Sequence, residues 1–190
     1  MQQHEDFYAD FQITPFGEVL RDFSVEKDAI DVGCGTGLMG IVMAINGARN
    51  VQMSDFSEQA VENSIENVSK YNLSRKVRVI HGDMFVKIAK PVDCITFNQP
   101  YFPGNPPEDD TIAASMLAPP DAIRRFLRDA RCYLNRGGVI VMPSFSLAGD
   151  LNNPYKAGIE CGYRVDTKFV AECTTGLQKG RIAMHELRLA

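Results

Sequence analysis

The sequence predicts an α/β protein, built on a doubly wound, mostly parallel sheet with helices on both faces and an antiparallel hairpin closing one edge. Three observations carry this reading. Short runs rich in β-branched residues recur along the chain and hand over to loop chemistry. Stretches with apolar residues at i, i+3, i+4 and i+7 lie between them. The last two extended runs are joined too tightly for a parallel crossover. Alternating strands and helices form right-handed βαβ units, which place helices on either face of the sheet.

Taken in order, polar residues at Gln12 to Thr14 and Pro15 at a helix start lead into Val19, Leu20 and Phe23, so residues 1–25 should hold a short N-terminal helical segment. Strands are expected at Ala29 to Val32, Val51 to Ser54, Val77 to His81, Val92 to Phe97 and Val139 to Pro143. Leu38, Ile41, Val42 and Ile45 form a first helical stripe, stopped by Asn46-Gly47. Val61, Ile65 and Val68 form a second, entered through Ser57 with Glu58 and Glu62 near its first turn. Ile123, Phe126, Leu127, Ala130 and Leu134 form a third, entered at Asp121 and ended by Asn135 and Gly137-Gly138. After a helix near Tyr155 to Cys161, Arg164 to Glu172 and Arg181 to Leu189 read as strands joined by TTGLQKG.

Composition narrows the function classes. The 190 residues suit one domain spanning 1–190, at about 100–200 residues per domain. Hydrophobic residues at 45% and charged residues at 23% exclude disordered, collagenous and disulfide-scaffold classes. The longest apolar run, around Leu38 to Ile45, falls far short of the ~20 residues of a membrane span. The first ten residues are acidic where a signal peptide would be basic, so a cytoplasmic location without membrane contact is expected. Five scattered cysteines include no C-x-x-C pair, and His4, His81 and His185 lack partners at ligand spacing, so no metal is expected. A net charge of −4 and a pI near 5.4 argue against a broad nucleic-acid footprint. Arg124, Arg128 and Arg131 on one helix face, or Lys70, Arg75, Lys76 and Arg78, could still touch RNA, although a solvated face is the simpler reading.

The strongest local signal is Asp31-Val32-Gly33-Cys34-Gly35-Thr36-Gly37, where a strand hands over to a helix. Ligands bind at that edge of a parallel sheet, and glycines let them approach the backbone. A dinucleotide fingerprint would need a glycine at position 38, which is Leu38, so an NAD-type oxidoreductase is disfavoured. The loop resembles motif I of the class I S-adenosylmethionine-dependent methyltransferases. That resemblance implies a Rossmann-like seven-stranded sheet ending in a hairpin, and S-adenosylmethionine as cofactor held at Asp31, Gly33, Gly35 and Gly37. Asp55 ends the second strand where the family places an acid for the ribose hydroxyls, and Phe56 beside it could pack on adenine. Asp83, followed by Met84, matches the residue the family uses for the adenine amino group.

Phe97-Asn98-Gln99-Pro100-Tyr101-Phe102 follows the fourth strand and is similar to motif IV of the amine and amide N-methyltransferases, N-P-P-Y or D-P-P-Y, including the HemK-type glutamine methyltransferases. The lone pair of a planar nitrogen is delocalised, so that nitrogen must be oriented toward the sulfonium methyl. The Asn98 oxygen and the residue-99 carbonyl can accept its two N–H bonds. Pro100 biases residue 99 toward extended backbone, and Tyr101 offers a flat face, so Asn98, Pro100 and Tyr101 are the expected catalytic set, with Asn98 also facing the cofactor. Gln99 stands where the family's first proline is expected; the carbonyl survives and the φ restriction does not. Restoring proline at 99 should be tolerated unless the Gln99 N–H or side chain has a partner of its own. Asn105-Pro106-Pro107 reads as loop punctuation, and Glu108, Asp109 and Asp110 would favour a cationic or peptide substrate over phosphates.

The resemblance implies an S-adenosylmethionine-dependent methyltransferase acting on a planar amide or amino nitrogen of a protein or RNA. A small-metabolite methyltransferase and a catalytically silent, partner-binding subunit are the alternatives. With about 25 residues before the first strand, acceptor recognition should fall to loops, the short helix or a partner protein.

Overall fold

The computed structural model describes residues 15–105, 116–175 and 178–190. Its strands are β1 (Asp28–Val32), β2 (Asn50–Asp55), β3 (Val77–His81), β4 (Val92–Phe97), β5 (Phe102–Pro103), β6 (Leu117–Ala118), β7 (Leu134–Phe145), β8 (Tyr163–Thr175) and β9 (Gln178–Leu189). Seven form one doubly wound sheet in the order β3-β2-β1-β4-β7-β9-β8. The first five of that order run parallel, while β9 lies antiparallel to both β7 and β8. The hairpin therefore closes the edge, as its short connection requires.

Helices α1 (Pro15–Ser24), α2 (Leu38–Ile45) and α3 (Glu58–Lys70) cover one face; α4 (Ala122–Ala130) and α5 (Pro154–Glu160) cover the other. Side chains of a strand alternate between faces, so Ala29 joins the first core and Ile30 the second. Leu20, Ile41, Met43 and Met53 fill the first core. In the second, the Phe126 ring packs on Phe85 and Phe97 with centroids 5.5 and 4.7 Å away. Ser57 caps α3 as its position predicts, its Oγ accepting the Ala60 N–H at 3.3 Å. No helix among the described residues is long and apolar enough to cross a membrane.

Three elements depart from the sequence expectation. The third helix stops at Ala130, a 3-10 turn spans Arg131–Tyr133, and Leu134 already opens β7. Leu134 is buried either way, so its apolar character could not separate a last helical turn from a first strand residue. Gly137, at φ +79°, marks a register shift between the Val92 and Cys94 pairings to β7 rather than a helix end. The hairpin strands outrun their expected spans, since β8 reaches Thr175 and β9 starts at Gln178. The small parallel pair of β5 and β6 has only two residues per strand, too short for a periodic signal. His4, Asn105-Pro106-Pro107 beyond Asn105, and the acidic run at 108–110 fall outside the described residues.

His185, on β9, is buried with Nε2 2.7 Å from Ser144 Oγ and Nδ1 3.0 Å from Thr167 Oγ1. Burial pulls its pKa down to about 4. An unfolded histidine takes up its proton near pH ~6.5, so between there and pH 4 the unfolded state binds more protons than the folded one. His185 should therefore subtract stability as pH drops from about 6.5 to 4, while Asp31, whose burial raises its pKa to about 7, adds stability over the same range. The His185 share is read as a difference: the urea midpoint of His185→Gln, which cannot titrate, should rise relative to wild type as pH falls, and parallel midpoints in the two proteins would contradict it.

Candidate active site

Val32 pairs with Ser54 of β2 on one side and Phe97 of β4 on the other, so the three strands end level. The chain runs outward from β1 through β2 to β3, then returns to β4 on the opposite flank of β1. This reversal makes the carboxyl edge at β1 and β4 a topological switch point, where open α/β sheets form the crevice that usually takes the ligand.

Into that crevice projects the loop between β1 and α2. Gly35 and Gly37 have φ of +55° and +85°, a region that side chains resist. A Cβ at Gly37 would stand 2.7 Å from Met53 Cε, whereas one at Gly35 would meet nothing within 4 Å. A side chain at Gly37 would thus have to displace the end of the buried Met53 side chain, whereas Gly35 borders open space. Gly33, also left-handed at +60°, backs onto the Phe97 ring. The loop is pinned from outside by Cys34 N–H to Ser54 O at 3.0 Å, Ser64 Oγ to Gly35 O at 2.8 Å and Asn67 Nδ2 to Thr36 O at 2.9 Å.

Asp55 ties this loop to the next one. Its side chain accepts the Gly35 N–H at Oδ2 and the Ser57 N–H at Oδ1, both at 2.9 Å, with the residue 8% exposed. An ionised carboxylate has about four acceptor positions, so each oxygen retains capacity for another donor. Asp31 lies deeper, its Oδ2 accepting the Gly40 N–H at 2.8 Å inside the start of α2. Burial pushes its pKa up to about 7, against the Gly40 bond and with a contribution from the Asp55 charge. Cys34 is also buried, which raises its thiol well above the ordinary range and leaves it unreactive.

Phe56 is 62% exposed beside Asp55, and its carbonyl accepts the His81 Nε2 proton at 2.9 Å. Gly82 N–H donates to Asp55 O at 2.9 Å, which carries the β3 loop to the same crevice. Buried Ser54 donates to Met84 O at 2.6 Å, and Met84 takes the left-handed φ of +49°. Asp83 is exposed, and Arg125 Nη2 stands 2.9 Å from both of its oxygens. Sequence reasoning missed Arg125 because it lies off the face shared by Arg124, Arg128 and Arg131. Of those three, Arg124 binds Glu160 at 2.9 Å through Nε and Arg131 binds Cys161 O at 2.9 Å, so α4 and the 3-10 turn after it are both tied to the end of α5.

On the β4 side, Asn98 is exposed and its Oδ1 accepts the Tyr101 hydroxyl at 2.8 Å. Burial raises the Tyr101 phenol to about 12, so it remains a proton donor at physiological pH. The Tyr101 and Phe102 rings both meet Phe145 edge-on, with centroids 5.9 and 6.2 Å away. Pro100, just before them in sequence, is half-buried. Gln99, only 2% exposed, donates from Nε2 to Pro143 O at 2.7 Å. The side chain therefore has a partner, which is the condition under which proline at 99 is expected to conflict. That partner, 44 positions away on β7, leaves no local sequence signal.

A family model described as methyltransferase small domain matches residues 17–146. A protein of Methanocaldococcus jannaschii, provisionally named a protein N5-glutamine methyltransferase, is 30% identical over 131 residues, 65% of this chain and 64% of that relative. A tRNA1(Val) (adenine(37)-N6)-methyltransferase of a Flavobacteriaceae bacterium is 31% identical over 118 residues, 60% of this chain and 50% of the relative. The chain thus spans between half and two thirds of the length of these curated relatives. Among solved structures, one provisionally described as an RNA methyltransferase of Pyrococcus horikoshii superposes with a TM-score of 0.65 at 21% identity, covering 93% of this chain and 84% of its own, a likeness of fold.

The two loop glycines should respond differently to substitution. Gly37→Ala combines left-handed backbone with the Met53 clash and should cost about 2–3 kcal/mol of stability; Gly35→Ala should cost only the ~1–2 kcal/mol of the backbone term. Urea unfolding of both variants checks this, and equal losses would contradict the packing role of Gly37.

Proposed function

From the premise that this chain belongs to the methyltransferase small domain family, we propose that it transfers a methyl group from S-adenosylmethionine to a planar amide or amino nitrogen of a protein or RNA acceptor. One observation carries the reading: the buried Asp55 carboxylate at the end of β2 is bonded to Gly35, while Asn98 directly follows β4 on the other flank of β1. A nucleoside-binding acid and a nitrogen-orienting amide thus border one crevice.

The residues present fit the donor. The open space at Gly35 suits a ligand lying against backbone, and the spare lone pairs of Asp55 suit two ribose hydroxyls. In this proposal Phe56 covers one adenine face with its exposed ring, Asp83 and Met84 border the adenine edge, and Gly33 and Gly37 shape the loop. Asp31 holds the start of α2 against it through Gly40. When bound, S-adenosylmethionine supplies a methyl group already activated on a sulfonium, so this chain needs no nucleophile of its own.

Positioning is then the main task of the protein. Asn98 Oδ1 has a second lone pair beyond the Tyr101 bond and accepts one acceptor N–H; the Gln99 carbonyl accepts another. Together they turn the nitrogen lone pair toward the methyl. The Tyr101 ring, braced by Phe145, gives the planar group a stacking surface. The names of the two relatives refer to a glutamine amide and an adenine amino group, both planar nitrogens, which supports this acceptor class.

Asp55→Ala should weaken S-adenosylhomocysteine binding by ~1.5–3 kcal/mol, the range for hydrogen bonds to a charged group, with circular dichroism showing an intact fold. Calorimetry giving unchanged affinity would remove Asp55 from the donor site. Asn98→Ala should instead leave S-adenosylhomocysteine affinity within about twofold and lower turnover, because the lost contact acts on the acceptor. The assay supplies tritiated S-adenosylmethionine with a glutamine-containing peptide and, separately, an adenine-containing oligoribonucleotide. Label is expected on a planar nitrogen of one of them; full turnover by Asn98→Ala on that probe would overturn the role of Asn98.

A further inference from the structure

The residue that departs from the N-P-P-Y pattern is the most enclosed member of its segment. Gln99 is 2% exposed, between exposed Asn98 and half-buried Pro100. Its Nε2 donates to Pro143 O at 2.7 Å, and its Oε1 is buried with no hydrogen-bond partner. Burying an amide with half its capacity unmet carries a cost that an apolar residue would avoid. The 2.7 Å bond is the compensating contact visible in the structure. Pro143 O, in turn, belongs to the strand end whose next residues include Phe145, the ring against which Tyr101 and Phe102 pack.

We propose that Gln99 is a positioning residue, its side-chain amide tethering the Asn98–Tyr101 segment to the end of β7 and thereby fixing where the Asn98 oxygen and the residue-99 carbonyl point. This rests on the acceptor role given above to Asn98. A proline at 99 restricts φ from within the segment; glutamine restricts the same segment from outside, through a tertiary bond. The two devices are not interchangeable here. Proline at 99 would leave Pro143 O buried without its donor and open a gap where the Gln99 side chain lies.

Gln99→Glu gives a readout that simple packing would not. A protonated glutamic acid can donate an O–H to Pro143 O and keep the tether, while an ionised one faces a carbonyl that can only accept. Burial raises the pKa of such a carboxyl, so the tether should hold at mildly acidic pH and fail as pH rises. Relative to wild type at each pH, Gln99→Glu should turn over nearly normally at pH 5.5 and about ten- to hundredfold more slowly at pH 8.5, the scale of a reacting group displaced by a fraction of an ångström to an ångström. S-adenosylhomocysteine affinity should stay within twofold throughout. Gln99→Pro should be slow at both pH values.

The turnover assay uses whichever of the peptide or oligoribonucleotide probes the wild type methylates. In parallel, the Asn98 side-chain amide resonances are followed by ¹H–¹⁵N NMR without any acceptor. They should match wild type in Gln99→Glu at pH 5.5 and shift at pH 8.5. Wild-type turnover by Gln99→Glu at pH 8.5, or Asn98 resonances that ignore its ionisation, would overturn the tether. If the wild type methylates neither probe, the acceptor reading fails, and the NMR titration alone decides whether Gln99 positions Asn98. Should Gln99→Pro not fold, the Gln99→Glu pH profile still carries the test.

Discussion

Everything at the crevice depends on Val32 being paired to Ser54 on one side and Phe97 on the other. That register makes three parallel strands end at one level and brings the glycine loop, Asp55 and Asn98 to the same edge of the sheet. Neither a one-residue slip of β2 nor one of β4 is compatible with the core, because each would turn Met53 or Ile95 to the opposite face. The position of the site is therefore held by hydrophobic burial on both sides of the sheet.

Within that frame the two halves of the site are braced differently. The half proposed to hold the donor is bound up by backbone contacts: Asp55 with Gly35 and Ser57, Ser64 with Gly35 O, Ser54 with Met84 O. Buried polar groups with fixed partners suit a ligand that presents the same hydroxyls and amine every time. The acceptor half rests on a single buried side-chain bond, Gln99 to Pro143 O, and on aromatic edges around Phe145.

The sheet, its helices and the closing hairpin were legible because each rests on local patterning: β-branched runs, apolar stripes and one connection too short to cross over. The glycine loop was legible through spacing alone. Leu134 was misplaced because burial on a helix and burial on a strand leave the same apolar residue, and only its pairing to Val92 resolves it. The Asp83 contact with Arg125 and the Gln99 contact with Pro143 join residues 42 and 44 positions apart, so no window of sequence holds both partners. Gln99 was visible as a departure from the motif, but its consequence depended on what faces it across the sheet. The same holds for His185, an isolated histidine in sequence that β7 and β8 enclose with two hydroxyls.

The central claim is that one crevice serves both a nucleoside donor and a planar nitrogen. A crystal structure with S-adenosylhomocysteine bound tests it most directly. The account predicts both ribose hydroxyls on the Asp55 carboxylate, the amino-acid portion along Gly33 to Gly37, and the sulfur facing Asn98 Oδ1 across an open gap. Density for the nucleoside away from Asp55, or a sulfur turned from Asn98 with the segment around Tyr101 closed between them, would contradict it.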